Sequence, residues 1–153
     1  MRNIRWWNDR RAPSFEGMPL VNIHLRKGTS AEFRRNVSLG IHRSMVDVLK
    51  IPHDDQFHFF HEFDAANVQM QPVAFGLRRS ERVLAVQLFF NTRTPEEKSQ
   101  LFAAIVANLR LYADVPPEDV LLCVVETNSE NWWAAGRVVD PATGYDERMS
   151  ISP

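Results

Sequence analysis

Two segments of this chain repeat each other. Ile51–Glu62 reads IPHDDQFHFFHE and Val115–Glu126 reads VPPEDVLLCVVE. Each has an apolar residue, a proline, an acidic residue before an aspartate, a strand-like run and a closing glutamate. The offset of 64 (115 − 51) also carries Leu20–Leu25, LVNIHL, onto Leu84–Phe89, LAVQLF, and Ser30 onto Thr94. A chain of 153 residues that repeats at this spacing has room for two copies of one supersecondary unit and one shared core.

The unit is strand, helix, strand. After Ser30, apolar residues recur at Phe33, Val37, Ile41, Met45 and Val48, one face of a helix with Ser30 as its cap. Thr94-Pro95-Glu96-Glu97 is a second helix start, with a cap residue, a proline at the first helical position and a glutamate three past the cap. The apolar face of that helix is Leu101, Phe102, Ile105 and Leu109. Both helices end before Ile51-Pro52 and Val115-Pro116, because proline disfavours helical geometry in the residue ahead of it. A connection from Asp64 to Glu81 joins the units.

Strands alternating with helices of this length imply parallel pairs with crossovers. The expected fold is α/β, more narrowly α+β. It is a tandem β-α-β repeat forming a four-stranded sheet with two helices on one face. Val83–Phe90, nearly all apolar, is expected at the centre and buried on both faces. Helices on one face leave the other face bare, so an oligomer is expected.

Composition narrows the function classes. Hydrophobic residues make up 44% and charged residues 24%, and the net charge is −1, which gives the domain no reason to seek nucleic acid or an anionic membrane. No apolar run approaches a membrane span, and no signal peptide is evident, so a cytoplasmic protein is expected. The lone Cys123, in VLLCVVE, is expected to be a buried small hydrophobe. His58 and His61 are three apart on a strand and should face opposite ways, so no metal and no cofactor is expected.

The stretches MPLVNIHLRKGTS, GIHRSMVDVLKIPHDD, NTRTPEEK, VPPEDV and VETNSENWW resemble the tautomerase superfamily, and more narrowly its malonate semialdehyde decarboxylase-like branch. The resemblance covers about residues 18–136 and implies a homotrimer whose active sites lie near each N-terminal proline. It implies that Pro19 is the catalytic amine, that Asp55 works beside it and that Arg93 binds a substrate carboxylate. Asn91 stands where the decarboxylase has a further arginine. Trp132 matches an aromatic wall residue, while Ala134 stands where a second aromatic is expected. His42 falls where related cis-3-chloroacrylic acid dehalogenases carry a functional histidine. With Asn91, Trp132, Trp133 and His42 as substrate-binding residues, the implied partner is a small anionic carbonyl compound.

The chemistry suits these residue types. A free α-amino group titrates near ~8. An apolar pocket, for which Val21, Ile23, Trp132 and Trp133 are candidates, lowers that value and makes a base, whereas a carboxylate such as Asp55 raises it and makes an acid. A guanidinium holds a carboxylate in a bidentate grip, and an amide such as that of Asn91 donates to a carbonyl or enolate oxygen. Tautomerisation, decarboxylation and hydration all remain open.

Three segments follow: an extension at 1–17, a tautomerase-like domain at 18–136 and a tail at 137–153. The extension, MRNIRWWNDRRAPSFEG, places Pro19 in a tertiary amide. Translation beginning at Met18, with the methionine then removed, would free the nitrogen. The alternative is a real extension and a blocked, processed or non-catalytic binding protein. Arg2, Arg5, Trp6, Trp7, Arg10 and Arg11 would then form a basic, aromatic arm suited to stacking on nucleic acid.

Overall fold

Both helices begin where a side chain replaces a missing backbone partner. In the computed structural model, which describes residues 19–134 and 137–138, the first strand β1 (Leu20–Arg26) leads to α1 (Ala31–Leu49) and then β2 (Phe57–Phe63). Two short strands, β3 (Val73–Ala74) and β4 (Leu77–Arg78), form a hairpin in the connection. The second unit is β5 (Leu84–Asn91), α2 (Pro95–Ala113) and β6 (Val120–Thr127), followed by the short pair β7 (Trp133–Ala134) and β8 (Arg137–Val138). The extension at 1–17, and the tail apart from residues 137–138, lie outside the described residues.

The Phe33 N–H donates to Ser30 Oγ at 3.0 Å. The Glu97 N–H donates to Thr94 Oγ1 at 3.1 Å, and the Thr94 N–H donates back to Glu97 Oε2 at 2.9 Å, closing the expected capping box. At the other ends Lys50 (φ 58°) and Asp114 (φ 52°) turn left-handed before Ile51-Pro52 and Val115-Pro116.

The sheet order is β2-β1-β5-β6. β1 runs parallel to β2 and β5 parallel to β6, while β1 and β5 are antiparallel. Val21, Ile23 and Leu25 of β1 and Leu84, Val86, Leu88 and Phe90 of β5 face the helices. There they meet Val37, Ile41 and Met45 of α1 and Leu101, Ile105 and Leu109 of α2 in one core. Each such side chain contributes roughly 1.5–3 kcal/mol by leaving water. The helices touch through Gly40, where an added Cβ would lie 3.2 Å from the Asn108 carbonyl oxygen. Asn108 Nδ2 donates to Ser44 Oγ at 2.8 Å, a bond between residues 64 apart and so between repeat mates.

That offset holds for the helices and for β2 and β6 but not for β1 and β5. Val21 pairs with His58 and Val86 with Leu122, so inward positions in the first strands match at 65 (86 − 21) and in the second strands at 64 (122 − 58). The cause is a loop length. The last inward residue of β1, Leu25, is five before its helix cap Ser30, while Phe90 is four before Thr94. Pro19 therefore corresponds to Leu84, and Asn91 to Arg26.

The outer face is bare. β5 is central but inward-buried only, since Gln87 is exposed and Ala85 and Phe89 are half-buried. Phe57, Phe59, Leu121 and Val125 are exposed on this side. Cys123 is exposed there too, not buried as its apolar neighbours suggest, because strand alternation turns Leu122 and Val124 inward. Polar side chains cross the middle: His24 Nε2 donates to Gln87 Oε1 and His61 Nε2 to Asn22 Oδ1, both at 3.1 Å, and the two imidazoles stack at 4.9 Å.

Candidate active site

One end of the sheet collects the start of β1, the start of β2 and the ends of β5 and β6. Pro19 is buried there, immediately before β1. Leu20 pairs with Phe57 on one side and Phe89 on the other, so Pro19 lies between the entry to β2 and the exit from β5.

Asp55 sits just ahead of β2. Its N–H donates to the Pro52 carbonyl at 3.2 Å, and the side chain is half-buried. Its repeat mate Asp119 makes the same turn, donating to the Pro116 carbonyl at 3.0 Å. The carboxylates differ. Asp119 is buried and accepts from the Ser80 N–H at 2.7 Å and the Ser80 hydroxyl at 2.5 Å, tying the inter-unit connection to the second unit.

Asn91 and Arg93 close β5. Both are polar and both are buried, at 3% and 7% exposure. Asn91 Oδ1 accepts from the Trp132 indole N–H at 2.8 Å, and Asn91 Nδ2 donates to Ser129 Oγ at 3.1 Å. An amide has two N–H hydrogens, so one remains after the bond to Ser129. The Arg93 backbone N–H donates to Glu126 Oε1 at 3.1 Å, and Lys98 Nζ donates to the same oxygen at 2.8 Å. Those donors, Lys98 first and then the Arg93 N–H, hold the Glu126 carboxyl below its usual range. Glu126 thus fixes the backbone that carries Arg93. The repeat contains the corresponding pair, Arg34 with Glu62 at 3.1 Å.

Pro19, Asp55, Asn91, Arg93 and Trp132 therefore gather at one end. Trp132 is half-buried and lies over the end of β5, while Trp133 is 70% exposed on β7. Val21 and Ile23, expected to line the pocket, instead point into the helix-side core. His42 lies behind the site on α1, buried, with Nε2 donating to the His53 carbonyl at 2.8 Å. His58 faces the helices and His61 the open face, so the two cannot share an ion.

The gathering has the parts for proton transfer on a small acid: an amine position, a carboxylate, an amide donor and a buried guanidinium. Sequence reasoning missed Glu126, Lys98 and Ser129 as supports. The glutamate closing each repeat was the available signal for the first.

The chain belongs to the tautomerase family. One model of tautomerase enzymes matches residues 55–133 and a second matches residues 19–78, beginning at Pro19. The chain is 28% identical over 116 residues to the probable tautomerase YusQ of Bacillus subtilis (strain 168), spanning 75% of this chain and 91% of YusQ. It is similar to the crystal structure of FG41 malonate semialdehyde decarboxylase inhibited by 3-bromopropiolate. That match has 30% identity and a TM-score of 0.71, covering 76% of this chain and 88% of that one. A fused 4-OT solved as an asymmetric trimer shares the fold at 16% identity, with a TM-score of 0.65, over 78% of this chain and 94% of that chain. No helix among the described residues is long and apolar enough to cross a membrane.

Proposed function

We propose that this enzyme uses Pro19, once it is N-terminal, as the catalytic amine in keto–enol tautomerisation of a small carbonyl compound bearing a carboxylate. The observation carrying this reading is a coincidence of position. Pro19, where a family match begins, is buried at the same end of the sheet as Arg93 and Asn91. A secondary amine there takes a proton from the carbon beside the carbonyl, the electron pair moves to the carbonyl oxygen, and the protonated amine returns the proton to that oxygen to give the enol. Arg93 grips the carboxylate, and the second N–H of Asn91 donates to the oxygen that gains charge in the enol. Trp132 supplies an apolar wall, and Asp55 sets the proton affinity of the amine.

A second reading, decarboxylation or hydration of a 3-oxo acid resembling malonate semialdehyde, is supported by the likeness to the FG41 decarboxylase. Asn91, standing where the resemblance implies an arginine, leaves the site one positive charge short of that decarboxylase, which counts against malonate semialdehyde itself as the substrate. The bare face, on which Phe57, Phe59, Leu121 and Val125 are exposed, supports a homotrimer like the trimeric fused 4-OT.

The four-stranded sheet, both helices and the core all lie within residues 20–134, so the chain starting at Pro19 keeps every described element of the fold. That form should interconvert the enol and keto forms of phenylpyruvate, while the chain starting at Met1, with an acylated nitrogen, should do so far more slowly. Equal rates in the two forms would remove Pro19 from the mechanism. Absence of turnover by the short form, with tight binding of the acid, would favour a binding protein.

A further inference from the structure

A polar cluster under α1 has no place in the chemistry above. Ser38 and His42 are one helical turn apart. Gln56 Nε2 donates to Ser38 Oγ at 2.9 Å, and the same hydroxyl shares a hydrogen bond with His58 Nδ1 at 2.8 Å. His42 Nε2 donates to the His53 carbonyl at 2.8 Å, and its ring meets that of His58 edge-on at 6.0 Å. The two anchored residues, His53 and Gln56, bracket Asp54-Asp55.

The repeat gives an internal control. At the offset of 64, Ser38, His42, Gln56 and His58 correspond to Phe102, Val106, Val120 and Leu122. All four mates are apolar, and Phe102, Val120 and Leu122 pack on the core. The fold therefore does not need polar groups at these places. Their presence is costly, since His42 Nδ1 is buried with no hydrogen-bond partner among the described residues. An unmet buried polar atom costs roughly 1–3 kcal/mol. A polar cluster kept against that cost, in the unit that carries Pro19, points to a task at the site.

We infer that Ser38 and His42 are positioning residues for Asp55. From one face of α1 they hold both flanks of its loop, the His53 carbonyl and the Gln56 amide, and so fix the carboxylate at the end of β1 where Pro19 lies. His42 acts through the backbone and does not touch substrate. The inference rests on the tautomerase reading for its kinetic test but not for its structural one.

The kinetic test uses the chain starting at Pro19 with phenylpyruvate. His42→Leu should lower kcat by about tenfold or more with little change in KM, the scale expected when a catalytic group is displaced by a fraction of an ångström to an ångström. Ser38→Ala should act in the same direction. His42→Gln, whose amide can donate from nearly the position of Nε2, should recover most of the loss. In an Asp55→Asn background, His42→Leu should add less than about twofold, because the group it positions is already gone. Equal losses in both backgrounds would make His42 a packing residue and overturn the inference. The structural test is amide exchange in the full chain. His42→Leu should speed exchange at Asp55 by about tenfold or more while leaving Leu88 unchanged. Unchanged exchange at Asp55 would overturn the clamp whether or not the enzyme turns over phenylpyruvate. No turnover by the parent, with faster exchange in the variant, would overturn the tautomerase reading and leave the clamp standing.

Discussion

Asp55 and Asp119 occupy the same turn of the two units, and their substitutions should have opposite consequences. Asp119 is 1% exposed and receives two hydrogen bonds from Ser80, at 2.7 and 2.5 Å. Asp119→Asn keeps one acceptor oxygen but turns an NH2 toward a partner that mainly donates. One hydrogen bond to a carboxylate is lost, and one donor is left less well paired. Hydrogen bonds of this kind contribute about 1.5–3 kcal/mol, so the loss should be about 2 kcal/mol. For a chain of this size, that corresponds to a fall in Tm of about 6 °C. Activity should stay within about twofold, because Asp119 lies at the opposite end of the sheet from Pro19. Asp55→Asn should cost less than about 1 kcal/mol, as expected for a half-buried side chain, yet lower kcat more than tenfold. Thermal and urea unfolding, followed by circular dichroism at one fixed protein concentration, measure the first effect, and phenylpyruvate turnover measures the second. An Asp119→Asn protein as stable as the parent would refute the assignment of Asp119 as the tie between the connection and the second unit.

Arg93→Ala should lower kcat/KM for a carboxylate-bearing substrate by about 2 kcal/mol or more, with a much smaller effect on the uncharged ester; equal losses would make Arg93 structural. The open face predicts that Phe59→Glu yields monomers, read by light scattering, and a persistent trimer would show that this face is not the interface. His58, held down to about 4 by burial and then by His42, stays neutral in the fold while the unfolded chain protonates near 6.5. Stability from this group is therefore fully present above pH 6.5, falls as pH drops through the window to 4, and levels off below it. The total is about 3 kcal/mol. His58→Gln should flatten that part of the urea-midpoint profile between about pH 7 and pH 4, and an unchanged slope would mean that His58 is not buried neutral.

Much of the fold was legible because its signals are local. Ser30 and Thr94 announce the helices, the Ile51-Pro52 and Val115-Pro116 pairs end them, and the apolar stripes point to the core. The repeat supplied the topology. What failed was bookkeeping across loops: one extra residue between Leu25 and Ser30 shifts the β1–β5 correspondence by one, and no periodicity records loop length. Cys123 looked buried because both neighbours are, yet alternation in an outer strand puts it on the open face. Residue type and resemblance nominated Pro19, Asp55 and Arg93, and the strand register brings the three to one end of the sheet. The bond from Trp132 to Asn91 joins residues 41 apart, and Ser38 serves His58 across 20 residues, so neither could be seen in a linear pattern. His42 sits beside the apolar stripe of α1, which hides a polar partner in β2's approach loop.

The departures from twofold symmetry divide the labour of the molecule. Both ends of the sheet have the same frame: a strand start, a proline-led turn with an aspartate, a capped helix and a glutamate pairing back to a cation. At the second unit's end the frame is filled for stability, with Leu84 1% exposed where Pro19 would be, Asp119 tied to Ser80, and apolar residues beneath the turn. At the first unit's end it is filled with groups that cost stability, among them His42, whose Nδ1 is buried with no hydrogen-bond partner among the described residues. A duplicated fold can tolerate that expense at one end because the two helices share a single core, through Gly40, Ser44 and Asn108, that spans both units. Stability lent by the apolar end is thereby available to the polar one.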